Sequence, residues 1–259
     1  MANRSQRSDW GHFLTTLFMT MMFLSSLANA QIDGGDSVED YDPTAEGIEE
    51  PIPPPLTLEE SEELGQFSEP KVTEERAREI LDLYSHLDPE RKVPAKLLKE
   101  AVIYYNANME KLKNTNYLTV VNFSTHSRRY RLFIVDMKKG GVIDLHVAHG
   151  SGSDRDNDGY AERFSNQNGS NASSLGFFRT AETYSGKHGY SLRIDGLSDT
   201  NSKARERAVV VHGAGYVREE PVKQGRSWGC FAVSMDNRKM VINMIKGGSL
   251  IYAGLALKD

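Results

Sequence analysis

The chain has 259 residues, 39% hydrophobic and 26% charged, with a net charge of −5. That composition excludes a membrane bundle and a wholly disordered chain, and after Ala30 no apolar run is long enough to span a bilayer. The charge is uneven: residues 1–30 carry +1, residues 31–70 carry −13, and residues 71–259 therefore carry +7, so an acidic leader precedes a basic body.

Residues 1–30 read as an export signal. Arg4 and Arg7 supply a positive start, Phe13 to Leu27 is apolar and uncharged, and Ala28-Asn29-Ala30 is a small-x-small cleavage site. The stretch is short for an uncleaved anchor, and no Cys stands at the cleavage point to carry a lipid. This predicts a chain soluble after cleavage in a bacterial periplasm, with no membrane span in the mature form.

Residues 31–70 read as a disordered acidic linker. It holds thirteen carboxylates, no Lys or Arg, and the run Pro51-Ile52-Pro53-Pro54-Pro55, so like charges and prolines keep it extended. Residues 71–114 read as a helical prelude. Ala77, Ile80, Leu81 and Tyr84 recur at helical spacing, and a second helix starting near Pro94 carries Leu97, Leu98, Ala101, Val102 and Tyr105. No chemistry is evident in it.

Residues 115–259 have the punctuation of a β protein. Eight short β-branched and aromatic runs are predicted as strands: 117–123, 130–137, 142–149, 175–180, 190–195, 208–212, 230–233 and 250–253. One late helix is predicted between Asp236 and Ile245, stopped by Gly247. The fold class is mainly β, a sandwich or open barrel with one late helix, preceded by a short helical segment. The long polar loop at 150–174 is of a length usually reserved for function.

The chain has one cysteine, Cys230, so no disulfide forms within it, and a lone thiol in an oxidising compartment needs a reason to be kept. Val209-Val210-Val211-His212-Gly213 ends an apolar strand on a histidine. Fourteen residues after Gly213 comes Ser227-Trp228-Gly229-Cys230-Phe231. A thiol with an ordinary pKa of about 8.5 is only about 3% ionised at neutral pH, and an imidazole corrects this as general base or ion-pair partner. Gly229 removes a side chain beside the sulfur, so backbone N–H groups of Gly229 and Cys230 are free to face a developing oxyanion.

His212-Gly213 followed by Ser227-Trp228-Gly229-Cys230 resembles the signature of L,D-transpeptidase (YkuD-type) catalytic domains, in the murein L,D-transpeptidase branch. Val147-Ala148-His149-Gly150 and Ser174-Leu175-Gly176-Phe177-Phe178-Arg179 are similar to that family's upstream elements, in the same order. The resemblance implies that Cys230 attacks the carbonyl of the third stem-peptide residue of peptidoglycan and expels D-alanine as a thioester forms. It also implies that His212 moves the protons, that a carbonyl near Gly213 orients His212, and that Ser227 and Gly229 shape the oxyanion loop. No metal or organic cofactor is implied, and the partners are stem peptides rather than nucleic acid. Sensitivity to carbapenems but not to most penicillins is implied as well. Two positions depart from the commoner signature: Trp228 stands where a His is usual, and Ala232 where an Arg is usual. Both leave open whether the thioester goes to an amine or to water, as in an L,D-carboxypeptidase or endopeptidase. A non-catalytic wall-binding module, which would tolerate loss of Cys230, is the reading of another class.

Four further groupings bear on the site. Arg226 and His149, with Trp228, are candidate substrate contacts. Asp144, His146, His149 and His212 read poorly as zinc ligands, because 146 and 149 point to opposite faces of an extended run. Asp154-Arg155-Asp156-Asn157-Asp158-Gly159 copies half of a calcium loop, but Ser165 stands where that loop needs its bidentate Glu; a turn held by Asx hydrogen bonds is the other reading. Tyr184, Lys187, His188, Tyr190 and Arg193 read as ordinary surface.

Overall fold

In the computed structural model the chain is described over residues 51–256. The export signal and the first half of the acidic linker lie outside the described residues. Among the described residues no helix is long and apolar enough to cross a membrane.

All eight predicted strands form: β1 (Tyr117–Asn122), β2 (Leu132–Asp136), β3 (Val142–Leu145), β4 (Gly176–Gly186), β5 (Gly189–Gly196), β6 (Val210–Ala214), β7 (Phe231–Ser234) and β8 (Leu250–Gly254). They make one sheet in the order β3-β2-β1-β8-β4-β5-β6-β7. Neighbours run antiparallel except β1/β8 and β6/β7, which are parallel. The sheet curls until its ends nearly meet. Ala148 N–H donates to the Ala232 carbonyl across 2.9 Å, and Gly150 bridges to Ser227. The fold is therefore mostly β, a nearly closed barrel.

β3 stops at Leu145 rather than at His149, and the cause is Arg131. Its fully buried side chain replaces the ladder, donating to the Val147 carbonyl from Nε and Nη2 (2.9 and 2.8 Å) and to the Thr125 carbonyl from Nη1 (3.0 Å). The run 147–151 is thereby released to lie along the β7 end of the sheet. β4 and β5 outrun the prediction instead and meet in a hairpin at Gly186–Gly189.

The pleat of the strands divides the apolar residues between two cores. Inside the barrel, Val121, Ile134, Phe178, Leu192, Val211 and Phe231 pack with Val241, Ile242 and Ile245 of the late helix α4 (Arg238–Ile245). On the outer face, Leu118, Val120, Phe133, Phe177 and Leu250 meet α2 (Glu74–Leu83) and α3 (Ala95–Asn108) through Ala77, Ile80, Leu97 and Tyr104. The division expected at residue 115 is thus no break in packing, since the helical segment completes one face of the sheet.

The second half of the linker departs from the extended chain its charges predict. Leu58–Gly65 is a helix, α1, opened by a capping box in which Thr57 Oγ1 accepts from the Glu60 N–H and the Glu60 carboxylate accepts from the Thr57 N–H. Its acidity is met by the basic body. Glu63 pairs with Lys113 and Arg179, both at 3.0 Å, and the carbonyls of Pro51 and Pro54 accept from Arg193 and Arg205.

Candidate active site

β6 and β7 lie in parallel register, Val211 against Phe231 and His212 against Ala232. Alternation points Val211, Phe231 and Val233 into the barrel. His212, Ala214 and Ala232 face the other way, where Ala148, Ala214, Tyr216, Val217 and Ala232 form a small third cluster. Cys230 immediately precedes β7, two residues before Ala232, and so falls on the His212 face, diagonal to it across the pair. Its thiol is half-buried and donates to the Ala208 carbonyl across 3.7 Å, on the β6 side. The strand pair thus carries His212 on β6 and leads into β7 from Cys230, on one face by register.

His212 is buried. Its Nδ1 lies 3.0 Å from the carbonyl of Gly213, an acceptor only, so Nδ1 carries the proton and Nε2 presents a lone pair. Burial, with the nearby His188, pulls its pKa down to about 3 against the opposing pull of that carbonyl. The ring is therefore neutral at physiological pH, with the Nε2 lone pair unprotonated. Gly213 is required where it stands: a Cβ there would lie 2.7 Å from Arg238 Cδ and 3.0 Å from Met235 Sδ.

The turn carrying Cys230 is braced from one side by Ser227, as its place in the motif suggests. Ser227 N–H donates to the His149 carbonyl (2.8 Å), its hydroxyl donates to the Cys230 carbonyl (2.8 Å) and accepts from the Gly229 N–H (3.1 Å). The last bond corrects the expected oxyanion role of Gly229, whose N–H is already engaged by Ser227. What Gly229 supplies is conformation. Its φ is +113°, and a Cβ there would sit 2.7 Å from the Ala172 carbonyl oxygen. Gly150 meets the same turn from behind, where a Cβ would lie 2.9 Å from the Gly229 nitrogen.

Of the candidate substrate contacts, Trp228 stands out from the surface two residues before Cys230, 49% exposed. His149 does not face substrate. It is fully buried, with Nδ1 accepting from Arg131 Nη2 (2.8 Å) and Nε2 donating to Asp154 (3.1 Å). Burial lowers its pKa to about 4, so it is the neutral link between a guanidinium and a carboxylate. Arg226 is turned onto the same loop, donating to the Asp154 carbonyl, rather than aimed at a ligand. Both residues hold the wall behind the Cys230 turn.

The same contacts account for the acidic loop. Asp154, Asp156 and Asp158 place carboxylate oxygens within 4.8 Å of one another. Burial pushes the Asp154 pKa up, but donation from His149 and from the Gly159 and Asp158 N–H groups outweighs it and holds it at about 2. The loop is closed by Asx-type bonds, and Ser165 bonds to Ser173 and Arg207. Of the residues weighed as zinc ligands, Asp144 pairs with Lys92 at 2.9 Å, His149 and His212 have the protein partners just described, and His146 is buried with its ring against Tyr130, centroids 4.5 Å apart.

Two residues were not legible as site components. His188, expected at the surface, lies at the β4–β5 hairpin tip with its ring stacked on His212 (centroids 3.9 Å apart, planes at 25°), and Arg238 of α4 holds the tip by its carbonyl. Arg207, in the loop before β6, extends its guanidinium over Gly229. Neither has a motif, because each reaches the site from a separate loop.

A search of curated proteins found no match. Among solved structures, the chain resembles L,D-transpeptidases from Mycobacterium smegmatis (14% identity, TM-score 0.34, covering 54% of this chain and 58% of that one) and Mycobacterium tuberculosis (14%, 0.31, 54% and 61%). One from Stackebrandtia nassauensis is similar over more of both chains (12%, 0.33, 74% and 87%). The chain spans about three fifths of the length of the mycobacterial proteins. The family model of the L,D-transpeptidase catalytic domain matches residues 89–253, most of the chain, and the chain belongs to that family.

Proposed function

We propose that this chain is an exported murein L,D-transpeptidase working in the periplasm on peptidoglycan stem peptides. His212 Nε2 takes the thiol proton, and the Cys230 sulfur attacks the carbonyl of the third stem residue. The C–S bond forms as the bond to the terminal D-alanine breaks, and the imidazolium returns its proton to the leaving amine. The acceptor amine of a second stem then attacks the thioester, giving its proton to His212 as the thiol is released. The backbone N–H of Cys230, rather than that of Gly229, carries the developing oxyanion, and Trp228 forms one wall of the groove.

The observation that carries this reading is the tautomer of His212. With Nδ1–H held by Gly213, the unprotonated Nε2 is the nitrogen left for the thiol on the same sheet face. Family membership supports the reaction class. The test is incubation with purified tetrapeptide muropeptides followed by mass spectrometry. Dimers joined between third residues are expected; tripeptide alone would replace transfer with hydrolysis. Full turnover by Cys230→Ala would overturn both and favour a wall-binding module.

A further inference from the structure

Arg207 is half-buried and bonded on every side to neutral oxygens. Nη1 donates to the Ser165 carbonyl and the Ser174 hydroxyl (both 2.6 Å), and Nη2 to the Ala172 carbonyl (2.6 Å) and the Ser170 hydroxyl (3.3 Å). Among the described residues no carboxylate lies within ion-pair distance of it. The contrast with Arg205, two residues earlier, is plain: that guanidinium pairs with both Asp195 and Glu182. Desolvating a cation without a counter-charge is costly, so such a group points to an anion that appears elsewhere in the cycle.

The position of Arg207 identifies that anion. Nη2 lies 3.2 Å from where a Cβ on Gly229 would sit, directly beside the nucleophile. The next residue, Ala208, adopts φ +52°, a strained value for alanine, and its carbonyl meets the Cys230 thiol. One short loop therefore brings a cation over Gly229, the residue before Cys230, and a carbonyl acceptor to the sulfur. The other ionisable groups around this face are His212, neutral, and His188 stacked beyond it; Asp154, His149 and Arg226 are bonded to one another behind the turn.

We infer that Arg207 is the positioning residue of the nucleophile, its guanidinium held over Gly229 without a carboxylate so that it stabilises Cys230 as a thiolate. The charge balance agrees in both directions: burial pulls the Arg207 pKa down, and an ionised Cys230 pushes it back up. When His212 takes the thiol proton, the new thiolate is opposite an existing fixed cation, and the neutral resting imidazole need not supply that charge beforehand. This inference rests on the reading of Cys230 as the nucleophile and adds the group that sets its ionisation.

The test is the pH dependence of iodoacetamide alkylation, unambiguous in a chain with a single cysteine. In the wild-type protein the thiol is expected to titrate at least one unit below the ordinary value of about 8.5. Arg207→Gln should raise that midpoint by about one unit, a roughly tenfold slower reaction at pH 7, with the high-pH plateau unchanged. Arg207→Lys, which keeps the charge and loses the fork, should stay near wild type. A wild-type midpoint at or above 8.5 overturns the inference without any variant. So does an equal shift in the Gln and Lys variants, which would mark loop tethering rather than charge. Alkylation needs no substrate, so a chain that fails to turn over muropeptides but keeps a depressed thiol would count against the proposed reaction and not against Arg207.

Discussion

The two faces of the sheet are built on different terms. On the helical face, Leu97, Ala101 and Val102 of α3 close over Leu118, Val120 and Leu250, all at most 1% exposed, and the work is apolar burial. On the β6/β7 face the same sheet tolerates what a stable core avoids: a buried imidazole held neutral, a guanidinium with no carboxylate, an alanine and a glycine at positive φ, and an exposed tryptophan. The helical face holds the barrel in shape, and the other face holds groups in states that stability alone does not call for.

Substitutions should separate these roles. The largest expected effect is on the reactive face, where Cys230→Ala abolishes turnover while leaving the melting temperature near wild type, read by muropeptide assay and calorimetry. His212→Gln should lower turnover by about 10²–10⁴-fold, the usual worth of a positioned proton-transfer group, with a fold unchanged by circular dichroism. On the helical face, Leu97→Ala should cost about 2–5 kcal/mol in denaturant unfolding, yet keep turnover at temperatures where the protein remains folded. If Leu97→Ala were as inactive as Cys230→Ala while still folded, the two faces would not be separable.

Gly229→Ala tests the conformational demand of the nucleophile turn. Strain of about 1–3 kcal/mol at positive φ, with the clash at Ala172, should displace the turn and cut turnover by about 10²-fold. A pH series tests the buried imidazoles. His149 and His212 have folded pKa values lowered to about 4 and about 3, below the unfolded value near 6.5. Above pH 6.5 both states are neutral and nothing is gained or lost. Below it the unfolded chain binds protons that the folded chain refuses, so unfolding midpoints should fall as pH drops from 6.5 toward 4. The slope is bounded at roughly 1.4 kcal/mol per pH unit for each histidine. A flat stability profile over that window would place charged imidazoles in the fold. The smallest effect belongs to the α1 strap: Glu63→Gln should barely move the melting temperature, and less still at high salt, because its pairs with Lys113 and Arg179 are open to solvent on the glutamate side.

What was legible in the sequence follows from the range of each signal. The strands could be read because alternation and β-branched runs are local, and His212 and Cys230 could be picked out because each sits in a short contiguous motif. α1 was not, since its charge count outweighed a capping box present at Thr57–Glu60, and the compensating charges sit more than forty residues away on Lys113 and Arg179. His149 was misplaced for a similar reason. Its position at a predicted strand end suggested an open site, but Arg131, eighteen residues earlier, ends the strand and buries the ring. His188 and Arg207 sit in loops whose partners are set only when the barrel closes.

The most direct measurement is intact-protein and peptide-mapping mass spectrometry after mixing the protein with a donor tetrapeptide and no acceptor amine. The account predicts one acyl group on Cys230 with release of one D-alanine, and slower acylation at neutral pH in Arg207→Gln. An acyl group on another residue, or D-alanine release undiminished in Cys230→Ala, would contradict it.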